Sequence, residues 1–142
     1  MKSFFDGVDH DRIVAAIAEA EKRSSGEIRV HLHHRAVRDP IAAAKKVFEK
    51  LGMAKTAQKN GVLIFVAPRS KNFAILGDSG IHEKCGDRFW EDAAAKMTGH
   101  FRSADYSGGI VVTIETLGAA LAANFPAQRD DRDELSNEID EA

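Results

Sequence analysis

The chain has 142 residues, of which 44% are hydrophobic and 30% are charged, and its formal net charge is −2. This length is that of one domain, and this composition excludes a chain that is disordered throughout. The lysines and arginines form no stripe interleaved with aromatic residues, so nucleic-acid binding is not expected.

The cysteine count and the termini indicate the compartment. Cys85 is the single cysteine, so no internal disulfide can form, and no cysteine–histidine spacing resembles a zinc finger. The amino terminus lacks the apolar core of a signal peptide, and no run reaches the roughly 18 apolar residues of a spanning helix. We therefore expect a cytoplasmic protein without a membrane span.

The amino-terminal quarter predicts a helix followed by a strand. Asp9 is placed to cap a helix that ends at residues 22–23, where a lysine and an arginine precede a Ser-Ser-Gly turn. Residues 27–33 then alternate between apolar and polar side chains, which predicts a half-buried strand. Its apolar face is Ile28, Val30 and Leu32, and its polar face is Arg29, His31 and His33.

The next segment predicts a helix and a central strand. Pro40 suits the first position of a helix that runs to Leu51. The residues expected on its core-facing side are Ile41, Ala44, Val47, Phe48 and Leu51. Residues 61–67 are apolar or glycine at every position, as a strand covered on both faces requires.

A third strand, residues 73–77, follows the central one after a short basic turn. A turn of this length permits only an antiparallel pair, because parallel neighbours need a long crossover. Asn60, at the start of the central strand, and Asp78, at the end of the third, should therefore lie at the same end of the pair.

The remaining elements are predicted to be helical. Asp87 lies in the first turn of a helix with apolar residues from Phe89 to Phe101, and residues 110–125 repeat with helical spacing. The β-branched content of residues 110–114 also permits a strand there. The order α-β-α-β-β-α-α predicts an α/β fold, a three-layer α/β/α sandwich with a small mixed sheet.

The carboxyl terminus differs in composition from the rest. Residues 127–142 contain seven acidic and two basic residues. We expect a domain over residues 1–126 and an acidic, disordered tail over residues 127–142. Such a tail is either a solvated end or a contact for a protein partner.

The strongest candidate site is the glycine-flanked loop that follows the third strand. Gly77 and Gly80 would let the backbone approach a ligand closely. Asp78, Glu83 and Asp87 supply the oxygen ligands that calcium and magnesium prefer. The other interpretation is a tight strand-to-helix turn in which Asp87 merely caps the helix.

Three further groups have two interpretations each. His31 and His33 should share a face, where they would either bind a transition metal or form a polar, solvent-facing row on an edge strand. Asp105 and Ser107 would either cap the last helix or contact a metal or phosphate. Cys85 is either a nucleophile with a nearby histidine as base or a structural thiol, and its spacing matches no catalytic signature.

The chain as a whole resembles the TPM domain family over residues 24–126. The resemblance is carried by an ordered set of short motifs. They are Ser25-Gly26-Glu27-Ile28-Arg29-Val30; Ala44 and Phe48 before Leu51-Gly52; Asn60-Gly61-Val62-Leu63-Ile64; Ile75-x-Gly77-x-x-Gly80-Ile81; Asp87; and Phe101-Arg102-x-x-Asp105-Tyr106-x-x-Gly109-Ile110.

The resemblance implies an α/β/α sandwich and several possible functions, since family members include phosphatases, proteins that bind divalent cations such as calcium, and adaptors for membrane proteins. It places Asn60, Asp78, Asp87 and Asp105 around a shared cleft at the strand ends. We expect Asp78, Asp87 and Asp105 there as metal ligands, and Asn60, Gly77 and Gly80 as ligand contacts. We expect a binding module that holds calcium or magnesium and has a protein partner. The alternative is a metal-dependent phosphatase acting on phosphate monoesters, whose catalytic residues the sequence does not identify. The usual family member carries an export signal and a membrane-anchoring helix. This sequence departs from that pattern, so we do not expect an extracytoplasmic repair or anchoring role.

Overall fold

The computed structural model describes residues 4–127 and 138–142. Its helices are α1 Phe4–Gly7, α2 His10–Lys22, α3 Pro40–Lys50, α4 Ser79–Cys85, α5 Asp87–Arg102 and α6 Tyr106–Asn124. Its strands are β1 Glu27–Leu32, β2 Gly61–Ala67, β3 Asn72–Gly77 and β4 Asp140–Glu141, and short 3-10 turns cover Met53–Lys55 and Pro68–Ser70.

The strands form a mixed sheet in the order β3-β2-β1-β4. Strands β1 and β2 are parallel, with α3 in the connection between them, and β3 runs antiparallel to β2 with Val62 opposite Gly77. The predicted antiparallel pair is therefore confirmed.

Helices cover both faces of this sheet. On one face, Ile28, Val30 and Leu32 of β1 pack in a core with residues of α2, α5 and α6. On the other face, Leu63 and Phe65 of β2 pack in a second core with residues of α3. Strand β2 is buried at all seven positions because it has a helix layer on each side. The three-layer α/β/α sandwich is confirmed.

Aspartates begin several of the helices. The side chain of Asp9 accepts a hydrogen bond from the amide of Arg12 at 3.0 Å, and that of Asp39 accepts one from the amide of Ala42 at 3.1 Å. Each carboxylate satisfies an amide that has no partner within the helix. The predicted cap at Asp9 is confirmed.

Helix α4 and the side chain of Ile41 differ from the sequence-based expectations. Residues 79–85 form helix α4 rather than an open loop, because Asp78 caps it and Ile81 is buried in the first core. Ile41 does not face the core and is 53% exposed. It lies in the first turn of α3, a helix of which Ala44 is the one buried residue.

Helix α6 is the long apolar helix of the described residues. Its 19 residues and mean hydropathy of 1.3 make it long and apolar enough to cross a membrane by length and composition alone. Half of that span is buried within the domain, where α6 packs against both α2 and α5. The strand that the β-branched residues permitted does not form, so the prediction of a helix is confirmed.

Residues 128–137, most of the predicted acidic tail, lie outside the described residues. Beyond them, Asp140 and Glu141 form β4, which pairs in parallel with His31 and Leu32 of β1. The side chain of Ile139 packs on the first core. The division at residue 126 stays a prediction, but the last residues of the chain return to the sheet.

Candidate functional site

The loop after β3 lies beside the start of β2, as the antiparallel pairing requires. The amide of Asp78 donates a hydrogen bond to the carbonyl oxygen of Gly61 at 2.9 Å, and the amide of Ile81 donates to that of Lys59 at 3.3 Å. Residues 56–60 and 78–81 therefore adjoin, and the hydroxyl of Ser25 contacts Gln58 and Asn60. We call these two segments and Ser25 together the polar end of the sheet.

The carboxylate of Asp78 is only partly satisfied. Its Oδ1 accepts the amide of Ser79 at 2.7 Å, which begins α4. Its Oδ2 is buried and has no hydrogen-bond partner among the described residues. A buried carboxylate oxygen without a donor carries a desolvation penalty that a bound water or cation would remove.

Asn60 is 1% exposed and joins the starts of β1 and β2. Its side-chain amide donates to Ser25 Oγ at 3.1 Å and to Gln58 Oε1 at 3.5 Å, and its main-chain carbonyl oxygen accepts the amide of Glu27 at 3.4 Å. Ser25 Oγ in turn donates to Gln58 Oε1. Asn60 thus connects the segments before β1 and β2, and its amide group brings the side-chain oxygens of Ser25 and Gln58 together.

The two glycines predicted to approach a ligand are packed against protein atoms. A Cβ on Gly77 would lie 2.3 Å from the ring of Trp90, and one on Gly80 would lie 2.2 Å from the carbonyl oxygen of Gln58. Gly80 therefore allows α4 to contact the main chain before β2. A role of either glycine in ligand contact stays a prediction.

Asp87 is separated from Asp78 by helix α4, whose seven residues extend about 10 Å. Its side chain is 88% exposed and lies 3.5 Å from His82 Nε2. The side chain that the sequence placed in a shared cleft is thus at the surface, beyond the far end of α4.

Asp105 lies at the opposite end of the sheet. Ser25, at the polar end, donates its amide to the carbonyl oxygen of Phe125, just past the end of α6. Asp105 caps the other end of this 19-residue helix, about 28 Å away along its axis. The three aspartates therefore do not converge, and no group of three or more His, Cys, Asp or Glu side chains able to hold a metal occurs among residues 4–127 and 138–142.

The direction of β3 explains this separation. Ligands in α/β sheets gather beyond the carboxyl ends of the parallel strands. Because β3 is antiparallel, the loop that follows it lies at the amino ends of β1 and β2. The region beyond their carboxyl ends is formed by other residues, near Asp105.

Asp105 is a helix cap with a second partner. Its Oδ1 accepts the amide of Gly108 at 3.1 Å, and its Oδ2 accepts Nδ1–H of His100 at 2.9 Å. The bond from His100, and to a smaller extent that from Gly108, holds the pKa of Asp105 below its ordinary value. The cap that the sequence suggested is present.

This lowered pKa predicts a pH-dependent stability. A carboxylate with a lowered pKa in the folded state stabilises the fold above its ordinary pKa and loses that contribution as the pH falls through the lowered value. Asp105→Asn, which keeps a capping side chain, should lower the melting temperature at neutral pH. The difference from wild type should close in acid when both are melted across a pH series. A constant difference would show that charge plays no part.

His31 and His33 share a face of the sheet, as predicted, but His31 is not solvent-facing. It is 1% exposed, stacked on Phe65 with ring centroids 5.2 Å apart. Its Nδ1 lies 2.6 Å from Asp140 Oδ2, and its Nε2 lies 3.0 Å from His33 Nδ1. Burial lowers the pKa of His33, and the nearby His31, Arg35 and His34 lower it further. The two ring nitrogens that face each other, His31 Nε2 and His33 Nδ1, are thus occupied by their mutual hydrogen bond.

Cys85 has the features of a structural thiol. It packs at the margin of the first core, and burial raises its pKa, which opposes thiolate formation. The histidines near it in sequence have other partners, since Trp90 Nε1 donates to His82 and His100 donates to Asp105. The described geometry gives no support to a cysteine–histidine pair.

Comparison with known proteins agrees with this architecture. The BA42 protein of the psychrophilic bacterium Bizionia argentinensis has a similar structure, with a TM-score of 0.86, 41% identity and 95% of both chains covered. The N-terminal domain of cg2496 from Corynebacterium glutamicum, at 18% identity, shares the fold with a TM-score of 0.61 over 78% of this chain and 70% of that one. No curated protein matches. The model of the TPM domain matches residues 1–120, and the chain therefore belongs to the TPM domain family.

Proposed function

We propose that this TPM domain is a binding module whose polar end holds a divalent cation, calcium, with Asp78 as the charged ligand. The observation that carries the proposal is the buried Oδ2 of Asp78, which has no partner among the described residues. In native proteins such an oxygen is normally satisfied by a donor, a water or an ion.

The chemistry around Asp78 favours calcium over a transition metal. Calcium takes six to eight oxygen ligands from carboxylates, amide and main-chain carbonyls and waters, in flexible geometry. The polar end offers side-chain oxygens of Ser25 and Gln58 beside the main-chain carbonyl of Gln58. Neither Asp87 nor Asp105 takes part, so the proposed site has one carboxylate and is expected to bind weakly.

A calorimetric titration of calcium into wild type and Asp78→Asn tests this site. We expect the substitution to raise the Kd at least about tenfold, because it removes the one charged ligand. Asparagine still caps helices well, so α4 should remain folded. Magnesium and manganese titrations of the same two proteins show which cation is preferred.

Asp105→Asn is the matched control. It removes the same charge from a capping aspartate at the far end of the sheet, so its calcium affinity should equal that of wild type. Equal losses of calcium affinity in the two variants would mean that calcium binding depends only on net charge. An unchanged Kd in Asp78→Asn would mean that any cation binds elsewhere. No heat with any metal would leave water as the partner of Asp78 and remove the proposal.

The phosphatase alternative and the protein partner rest on family resemblance. Calcium-dependent hydrolysis of p-nitrophenyl phosphate by wild type, lost in Asp78→Asn, would mean that the domain is an enzyme rather than a binding module. A partner contact through the acidic tail concerns residues that are mostly outside the described structure, and a cytoplasmic location likewise stays a prediction.

A further inference from the structure

A groove of about 970 Å³ lies at the other end of the sheet, beyond the carboxyl ends of β1 and β2. We call it the aromatic groove. Val66 at the end of β2 and His34 just after β1 contribute to it, together with residues of α1, α5 and the start of α6. This is the end of the sheet at which α/β folds usually bind small ligands, and the volume is that of a small-molecule site.

The apolar wall of the groove is a set of packed rings. Phe101 makes edge-to-face contacts with Phe4 and Phe73, each with a centroid distance of 5.8 Å, and Phe4 lies 4.7 Å from Tyr106. Phe4 is 9% exposed, so these rings are anchored in the first core. The wall is therefore preformed and does not depend on a ligand for its shape.

The charge of the groove is opposite to that of the chain as a whole. Of its 13 lining residues, Arg69, Lys71 and Arg102 are cationic and none is Asp or Glu, although the chain contains 22 acidic and 20 basic residues. Within residues 4–127 and 138–142, none of these three cations forms an ion pair, whereas several surface histidines do. The excess of cationic side chains among the lining residues favours an anion.

The turn that carries Arg69 and Lys71 is held in place. Ser70 Oγ accepts the amide of Val37 at 3.0 Å and donates to Asn72 Oδ1 at 2.7 Å. The side-chain amide of Asn72 donates to the carbonyl oxygen of Val37 at 2.9 Å. A fixed turn lowers the main-chain entropy that is lost when a ligand binds.

We propose that the aromatic groove binds a small amphiphilic anion, with a carboxylate or sulfonate head at Arg69, Lys71 and Arg102 and an apolar body against the phenyl rings. The cations account for the head group, and the anchored rings account for the body. An inorganic anion would leave the rings unused, and three cations are too few for a long polyanion. This site is separate from the calcium site proposed at Asp78.

The test uses octanoate and the aryl sulfonate 8-anilinonaphthalene-1-sulfonate as probes. We expect octanoate to displace the sulfonate from the wild-type chain. The double variant Arg69→Gln/Arg102→Gln should raise the Kd of both probes about tenfold or more, as loss of two charged contacts requires. Melting temperatures near that of wild type confirm that the variant is folded.

The matched control is Lys45→Gln/Lys46→Gln, which removes the same charge from exposed positions of α3 on the opposite face of the sheet. Its affinities should equal those of wild type, as should those of Asp78→Asn. Equal weakening in both double variants would overturn the proposal, since the probes would then sense only net charge.

Two further ligands and one variant test the apolar half. 1-Octanol and inorganic phosphate should each compete much more weakly than octanoate. Phe5→Ala, which removes a lining ring, should weaken binding of octanoate and of the sulfonate but not of phosphate. Phosphate as effective as octanoate would overturn the amphiphile assignment. Binding to anionic vesicles with no affinity for free octanoate would do the same, because the surface would then recognise a membrane.

Discussion

The Phe65→Ala variant should have a free energy of unfolding about 3–5 kcal/mol below that of the wild-type domain. Phe65 lies at the middle of β2 and is fully buried, within the core between the sheet and α3. Its ring stacks on His31 and contacts His33, each with centroids 5.2 Å apart. Truncation leaves a cavity that the strand backbone cannot close, so the transfer and cavity terms add.

Urea denaturation of wild type and Phe65→Ala measures this loss. Ile41→Ala is the control, because Ile41 is the one exposed large hydrophobic residue of the described chain. Its free energy of unfolding should be less than about 1 kcal/mol below that of wild type. Similar losses in the two variants would contradict the burial of β2 under α3.

The second large effect is expected for Gly80→Ala. The added methyl would lie 2.2 Å from the carbonyl oxygen of Gln58 and 2.6 Å from that of Lys59. Main-chain oxygens cannot rotate away as a side chain does, so α4 must shift from the segment before β2. We expect a loss of about 1–3 kcal/mol, typical of overpacking, despite the better helix propensity of alanine.

Gly99→Ala provides the opposite control. Gly99 lies within α5, and a methyl group added there would have no atom within 4 Å outside its own helix and chain neighbours. The same substitution should there raise the free energy of unfolding by about 0.5–1 kcal/mol through helix propensity alone. Thermal and urea unfolding of both variants should give changes of opposite sign, and stabilisation by Gly80→Ala would rule out the close contact.

Local signals in the sequence were sufficient for most of the fold. The apolar residues 61–67 predicted a strand covered on both sides, and the short turn after it predicted the antiparallel direction of β3. The antiparallel direction also placed Asn60 and Asp78 together correctly. Each of these features depends on residues within one turn or strand of each other.

Features that depend on distant residues were missed. The buried His31 bonds Asp140, which is 109 positions later and lies in a strand of two residues without a recognisable pattern. The sequence does not reveal which way α6 runs along the sheet, so it does not separate Asp105 from Asp78. The aromatic groove joins residues of α1 to residues of α5, and no motif links these segments.

Strand β4 covers part of a sheet edge through which separate molecules could pair. An open sheet edge can pair with the edge of another molecule and start aggregation, and charged residues there oppose it. Asp140 and Glu141 occupy the edge of β1 at His31 and Leu32, and Glu141 also lies 2.9 Å from His34 and 3.4 Å from His10. The acidic carboxyl terminus therefore blocks this part of the edge with charge, so removing it would leave a bare strand in contact with solvent and increase self-association.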